Sequence, residues 1–133
     1  MKILFFCLLF LIVSFSLPVQ EKDSITCPKI IINGPKNNIA YSGQRAEFSV
    51  KPFNKAYSKT HTVSYKWFVT NSNILSGQNE RTVYVDTKFL EGQQIKVMVM
   101  VDGLEDKCPS TETIVVDVRK PIVRTEQRII SRP

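Results

Sequence analysis

A single tryptophan, Trp67, stands in the middle of a segment in which apolar and polar side chains alternate. The apolar set of this segment is Val63, Tyr65, Trp67 and Val69. Successive side chains of a β-strand point to opposite faces of the sheet, so a period of two indicates a strand with one buried face. A turn, Ser76-Gly77-Gln78, and a Val-rich segment at residues 82–86 follow. This order predicts the centre of a small two-sheet β-sandwich.

The same alternation recurs along the chain. Strands are predicted at residues 29–32, 45–51, 63–69, 74–75, 82–86, 95–101 and about 114–118. The predicted core positions are Phe48, Tyr65, Trp67, Val85, Val97 and Val99. On the strand at 95–101, Lys96, Met98 and Met100 are predicted to point outward. About seven short strands with turn signals between them predict an all-β fold, a single two-sheet antiparallel β-sandwich.

Two connections differ from the short turns elsewhere. Residues 52–62 are polar and irregular, and we expect a long loop there, because no segment of the chain keeps a helical period. Residues 71–79 are rich in turn-forming side chains. Since loops at the ends of a sandwich commonly carry binding residues, these two segments are the first candidates for an interaction surface.

The first residues have the pattern of an export signal. Lys2 provides one positive charge, residues 3–13 are unbroken apolar sequence, and Ser14 and Ser16 supply a small-x-small cleavage site. This pattern is typical of a secretory signal peptide spanning residues 1–16, with a later cut near Gln20 as the alternative. The apolar run is shorter than the about 20 residues that cross a bilayer. We therefore expect an extracytoplasmic protein, in the periplasm or at the cell surface, that does not span the membrane.

The basic charge of the chain is concentrated at its C-terminal end. The 18 Lys and Arg and the 12 Asp and Glu give a net charge of +6. Residues 119–133 hold five basic side chains, Arg119, Lys120, Arg124, Arg128 and Arg132, against Glu126. We expect a basic tail that is either a solvated end segment or a segment in weak contact with anionic surfaces such as acidic lipid or polysaccharide. Nucleic acid is not an expected partner of an exported chain.

Two of the three cysteines remain once the signal peptide is removed. Cys7 lies inside the apolar run, whereas Cys27 precedes the first predicted strand and Cys108 precedes the last. In an oxidising compartment the simplest arrangement is one disulfide between Cys27 and Cys108. It would close a loop of about 80 residues and constrain the unfolded chain by roughly 4–5 kcal/mol. A metal site is the alternative, but it needs three or four ligands, and the single His61 does not complete a set.

Several segments together resemble a known family. They are Tyr65-x-Trp67-x-Val69, Ile74-x-Ser76-Gly77-Gln78, Val83-x-Val85-Asp86-Thr87 and Leu90-x-Gly92-x-x-Ile95-x-Val97. The pattern over about residues 27–118 resembles the PKD-like (polycystic-kidney-disease-like) Ig-fold domains of bacterial envelope and secreted proteins. Cys27-Pro28 and a second cysteine after Val101-Asp102-Gly103 match one subgroup. The resemblance implies an extracytoplasmic Ig-like sandwich that serves as a spacer, adhesion or interaction unit, and it transfers no catalytic residue.

The residues that enzymes use are sparse in this sequence. His61 is the only histidine, and no Gly-x-Ser-x-Gly segment or phosphate-binding glycine loop is present. Glu47 and Asp86 fall on or beside strands of a sandwich too small to enclose a cleft between paired carboxylates. The cluster Asp102, Glu105 and Asp106 matches no calcium loop and is expected to be a polar turn. We therefore expect no catalytic residue, no metal and no cofactor.

The sequence thus predicts a non-enzymatic module for protein interaction, adhesion or structural spacing, with a protein or a cell-surface polymer as its partner. The alternative is a carbohydrate-binding or enzyme-accessory β-sandwich. Sugar sites on such folds present aromatic rings to solvent, and the outward candidates are Tyr57, Phe68 and Tyr84. Trp67 is not among them, because a tryptophan flanked by inward-facing residues belongs to the core.

Overall fold

The computed structural model of the chain describes residues 26–123. The predicted signal peptide and most of the predicted basic tail lie outside these residues. The described part is a β-sandwich of two four-stranded sheets. Its strands are β1 (Ile32–Asn33), β2 (Ile39–Tyr41), β3 (Arg45–Val50), β4 (Ser64–Thr70), β5 (Ile74–Ser76), β6 (Thr82–Asp86), β7 (Gln94–Asp102) and β8 (Thr111–Arg119). A short 3-10 turn (Lys36–Asn38) precedes β2, and one α-helix, α1 (Lys55–Thr60), connects β3 to β4.

The two sheets have the strand orders β1-β3-β6-β5 and β2-β8-β7-β4. All neighbouring strands are antiparallel except β2 and β8, which run parallel with Ala40 opposite Val118. The first strand segment of the chain is therefore split: β1 pairs with β3 in one sheet, and β2 crosses to the other sheet. The predicted two-sheet architecture is confirmed, with eight strands instead of about seven.

The core lies between the sheets and is formed by the alternating apolar side chains. Phe48, Trp67, Val85, Val97 and Val99 are fully buried there. Tyr65 differs from these five, because it is only partly buried and packs against the edge of the core. The remaining buried apolar residues are Ile30, Ala40, Ala46, Val50, Val83, Ile95, Val101, Val116 and Val118. Burying a side chain of the size of Val or Phe contributes about 1.5–3 kcal/mol, so this layer is the main source of stability.

The turn between β5 and β6 covers the free edge of β4. The backbone N–H of Trp67 donates to the Gln78 carbonyl at 3.0 Å, and its indole Nε1–H donates to the Glu80 carbonyl at 2.8 Å. Gly77 allows this turn to pass close to β6, since its φ is 81° and a Cβ there would lie 2.1 Å from the Thr82 carbonyl oxygen. β4 is the longest edge strand within residues 26–123, and this turn occupies part of its edge against pairing with another chain.

Thr87 joins the two sheets at the opposite end of the sandwich. It is the one buried polar residue of the described chain. Its hydroxyl lies within hydrogen-bonding distance of the Tyr41 and Gln44 carbonyls, which flank the turn from β2 to β3. A buried hydroxyl needs such a partner, so Thr87 fixes the end of β6 against this turn.

The predicted disulfide is confirmed. Cys27 and Cys108 are bonded, and their Cα atoms are 5.3 Å apart. Cys27 precedes β1 of one sheet, whereas Cys108 lies between β7 and β8 of the other. The bond therefore links the two sheets at the end of the sandwich that also carries α1.

The prediction that residues 52–62 form an irregular loop without helix is wrong. Asn54 Oδ1 accepts a hydrogen bond from the Tyr57 N–H at 2.8 Å, and this N-cap starts the six-residue helix α1. A helix this short has no apolar period to detect. The strand β2 is also absent from the prediction. The predicted start of the tail is wrong by one residue, because Arg119 is the last residue of β8.

Candidate interaction surface

The outer surface of the β2-β8-β7-β4 sheet carries a contiguous group of apolar side chains. Phe68 of β4 lies directly opposite Met98 of β7. Met100 and Val115 occupy the neighbouring positions, in the adjacent rows of the sheet. Side chains in such direct and diagonal positions are close enough to touch one another. We call Phe68, Met98, Met100 and Val115 the apolar face.

The apolar face is accessible because the alternation of its strands directs it away from the core. The inward neighbours of these residues, such as Trp67, Val97 and Val99, are fully buried. Phe68 keeps 38% of its surface exposed and Val115 keeps 44%, and the two methionines are half-buried. Apolar side chains that cluster on an exposed sheet are typical of protein contact sites.

Two lysines lie within the same rows as the apolar face. Lys66 is paired with Met100, and Lys96 is paired with Val115. The Lys66 ammonium lies 5.6 Å from the centre of the Phe68 ring. Within residues 26–123 neither lysine forms an ion pair, since the one ion pair found there joins His61 to Glu105. The middle of this surface is therefore apolar and positively charged.

The acidic side chains of the same outer surface lie at its two ends. Asp102 is opposite Ser64 at one end of β4. Asp117 lies at the other end, where its Oδ1 accepts a hydrogen bond from Gln94 Nε2 at 2.8 Å. These carboxylates frame the apolar face and leave its central rows without a negative charge.

The outer surface of the other sheet has a different composition. Arg45, Glu47, Tyr84 and Asp86 form what we call the polar face. Arg45 is paired with Asp86, and Glu47 is paired with Tyr84. The Arg45 guanidinium lies 4.1 Å from the centre of the Tyr84 ring. The charges of the polar face are therefore of both signs, and its aromatic ring is already covered.

The segment around α1 is held by contacts within the molecule. The Tyr57 ring stacks on the His61 ring at 4.0 Å and packs against Phe53 at 5.8 Å. His61 Nε2 lies 3.0 Å from Glu105 Oε1, which ties α1 to the turn between β7 and β8. The Tyr57 hydroxyl is buried without a hydrogen-bond partner in the described chain, so ring stacking orients this side chain.

The second loop predicted to be an interaction surface is also engaged internally. The Asn71 Nδ2 donates to the Gln94 carbonyl at 3.3 Å, and the Ser72 hydroxyl donates to the Asp86 carbonyl. The Ile74–Ser76 part of this segment forms the edge strand β5. That both predicted loops bind a partner stays a prediction, but their side chains are more occupied than those of the apolar face.

The three aromatic residues considered for sugar binding lie in three separate places. Tyr57 belongs to the α1 segment, Phe68 to the apolar face and Tyr84 to the polar face. The rings of Tyr57 and Tyr84 already stack on other side chains. The arrangement does not bring them together as one platform for a sugar ring.

The two carboxylates considered for catalysis, Glu47 and Asp86, are diagonal neighbours across the β3–β6 pair. Glu47 and Asp86 lie on an open sheet surface, and Asp86 Oδ1 accepts a hydrogen bond from the Lys88 N–H at 3.0 Å. A groove of about 340 Å³ runs where the chain crosses from β1 to β2, and Glu47 is the only carboxylate in its lining. Among the described residues no three His, Cys, Asp or Glu side chains gather to hold a metal. Residues 26–123 also contain no helix long and apolar enough to cross a membrane.

Met98 and Met100 were placed outward by the sequence, but no function was assigned to them. The signal in the sequence was that the predicted strand at 95–101 has apolar residues at outward positions as well as at its inward positions. Val115 gave a weaker signal, because residues 114–116 are all β-branched and apolar and do not alternate.

No protein-family model matches the chain, and no curated protein matches it. Among solved structures, the chain is similar to a nucleoside hydrolase-related hypothetical protein from Saccharophagus degradans that is associated with carbohydrate metabolism. The TM-score is 0.55 at 13% sequence identity. The match covers 71% of this chain and 26% of that one, so the chain spans about a quarter of that protein. At this identity the similarity concerns the fold alone.

Proposed function

We propose that this protein is a non-enzymatic Ig-like module, secreted or associated with the cell envelope, that docks onto a partner protein through the apolar face. The observation that carries this proposal is the cluster of Phe68, Met98, Met100 and Val115 on an exposed sheet surface. These residues have no packing role in the core, because the opposite sides of the same strands fill it. Apolar anchors on an accessible surface are the residues that dominate protein interfaces.

The disulfide and the resemblance to PKD-like domains support the location of the module. Disulfides persist in oxidising compartments, and the Cys27–Cys108 bond is suited to an exported protein. A sandwich whose two sheets are joined by a disulfide presents its outer surface without large rearrangement on binding. Such preorganisation lowers the entropic cost of association.

Binding with matched surface variants tests the proposal. The full chain is immobilised and exposed to an extract of the cells that produce it, and the retained proteins are compared between variants. In one variant Phe68→Ser and Met98→Ser remove an aromatic and an aliphatic group from the apolar face. The control variant carries Tyr84→Ser and Leu75→Ser, which remove the same kinds of group from the other sheet without changing charge.

We expect the first variant to bind its partner at least tenfold more weakly, because truncating buried interface anchors typically costs 2 kcal/mol or more. The control variant should bind like the unmodified chain. Both variants should keep the far-ultraviolet circular dichroism of the unmodified chain. Equal binding by both variants would show that the apolar face is not the docking site.

A further inference from the structure

The charges within the apolar face indicate what kind of partner it accepts. We infer that the face binds an extended acidic segment, with an apolar side chain flanked by two carboxylates. This inference rests on the proposed function, since it names the partner chemistry of the same surface. Its basis is that Lys66 and Lys96 flank the Phe68–Met98 row and form no ion pair within residues 26–123. Asp102 and Asp117 lie one row farther out, each diagonal to one lysine.

The first step of the argument is the electrostatic cost of covering these lysines. A partner that buries the apolar face brings its own surface against both ammonium groups. Removing water from an ammonium group without supplying a counter-charge is strongly unfavourable. Carboxylates on the partner remove this penalty and orient the partner, so the charge pattern selects an acidic partner and rejects a basic one.

The second step is the spacing of the two lysines. Lys66 is opposite Met100, and Lys96 lies four residues from Met100 on the same strand. Four residues along a strand and one strand spacing across the sheet place the two Cα atoms about 14 Å apart. Phe68 and Met98 occupy the row between them. Along this diagonal the surface is therefore positive at Lys66, apolar at the Phe68–Met98 row and positive again at Lys96.

The third step is the match to an extended chain. In a strand, side chains at positions i, i+2 and i+4 share one face, and i and i+4 are about 13–14 Å apart. A segment with carboxylates at i and i+4 and an apolar residue at i+2 reproduces the spacing of Lys66, the Phe68–Met98 row and Lys96. A second copy of this chain is the poorer occupant, because its own apolar face would bring two further lysines to the contact.

Synthetic peptides provide the probe. The peptide Ser-Glu-Ser-Leu-Ser-Glu-Ser is immobilised at high density, so that weak single contacts add up. Three control peptides replace both Glu by Lys, replace Leu by Ser, or move the two Glu to the positions directly beside Leu. Binding of the full chain is measured at low and at physiological salt. The unmodified chain should bind the first peptide about tenfold more tightly than each control.

Two charge-reversed variants distinguish the effect of the lysines of the apolar face from the effect of the net charge of the protein. Lys66→Glu with Lys96→Glu changes the apolar face, and Lys55→Glu with Lys59→Glu makes the same charge change on α1. The first variant should lose about tenfold in binding to the Glu peptide and gain binding to the Lys peptide. The α1 variant should change neither preference. A gain in binding to the Lys peptide by the first variant identifies the lysines of the apolar face as the selecting charges.

The remaining outcomes overturn the inference in distinguishable ways. Equal losses in the two charge-reversed variants, or no preference among the peptides, would leave no role for Lys66 and Lys96. If the Phe68→Ser, Met98→Ser variant still lost its cellular partner, the proposed docking site would be supported. Only the inference that the partner segment is acidic would be contradicted. Sedimentation showing a dimer of the unmodified chain that this variant dissociates would identify a second copy as the occupant.

Discussion

The outer face of β3 and β6 carries Arg45, Glu47, Tyr84 and Asp86, whereas the outer face of β4, β7 and β8 carries four apolar side chains and two lysines. The first face carries charges of both signs, and an arginine covers its tyrosine ring. The second face leaves its apolar groups exposed and its cations unpaired within the described chain. Both faces lie outside the same core, so the packing of the core does not dictate the difference between them.

The comparison shows what alternation in a strand does and does not specify. The inward residues are constrained by packing, and Trp67, Val97 and Val99 are accordingly fully buried. The outward residues are free of that constraint. A polar face of mixed charge does not favour self-association in water, whereas an apolar and cationic face favours association with another molecule.

The sharpest test of this comparison uses two adjacent residues of β4. Trp67→Ala should lower the free energy of unfolding by about 3–5 kcal/mol, because it opens a large cavity between the sheets. Phe68→Ala should lower it by less than about 1 kcal/mol, because Phe68 packs outside the core. Urea unfolding of the two variants measures both values. A loss on Phe68→Ala as large as that of Trp67→Ala would assign the apolar face to folding.

The second prediction concerns the disulfide, which joins the sheets that carry the two faces. Replacing Cys27 and Cys108 by serine should cost about 2–5 kcal/mol of stability, since the bond closes a loop with a sequence separation of 81. The melting temperature should fall, while β-rich circular dichroism and binding through the apolar face persist at low temperature. Thermal unfolding and intact mass before and after reduction check this. Two free thiols in the native protein would contradict it.

The regular part of this fold was predictable because alternation records which side chains meet the core. The strand prediction for residues 82–86 coincides with β6, and the predicted strand at 95–101 lies within β7. The disulfide followed from counting cysteines. The helix α1 was missed because it depends on one capping side chain, Asn54, and on stacking of Tyr57 with His61. Neither contact leaves a periodic signal.

The split of the first strand and the apolar face could not be predicted from the sequence, for different reasons. β2 is three residues long, and its parallel pairing with β8 joins residues almost 80 positions apart along the chain, such as Ala40 and Val118. The apolar face is formed by residues of three strands. These residues are contiguous only because the register places Phe68 opposite Met98 and Lys96 opposite Val115. The sequence gives each outward side chain separately, but only the register assembles them into one surface.

The smallest expected effect concerns the C-terminal segment, and it tests whether that segment covers the apolar face. The ladder of β8 ends at Arg119, whose carbonyl accepts a hydrogen bond from the Ser42 N–H at 2.9 Å. Pro121 has no N–H to continue pairing. Ile122 and Val123 keep 78% and 82% of their surface exposed. Removing residues 121–133 should therefore change the free energy of unfolding by less than about 0.5 kcal/mol.

The same truncation separates two kinds of contact with acidic partners. Salt-sensitive binding to vesicles that contain anionic lipid should weaken, because residues 121–133 carry three arginines, Arg124, Arg128 and Arg132, against Glu126. Binding of the acidic peptide through Lys66 and Lys96 should stay unchanged. The matched control is the full chain with the three arginines replaced by glutamine, which should lose vesicle binding to the same extent. Tighter peptide binding after truncation would mean that the segment occupies the apolar face, and a large loss of stability would mean that it forms an integral strand.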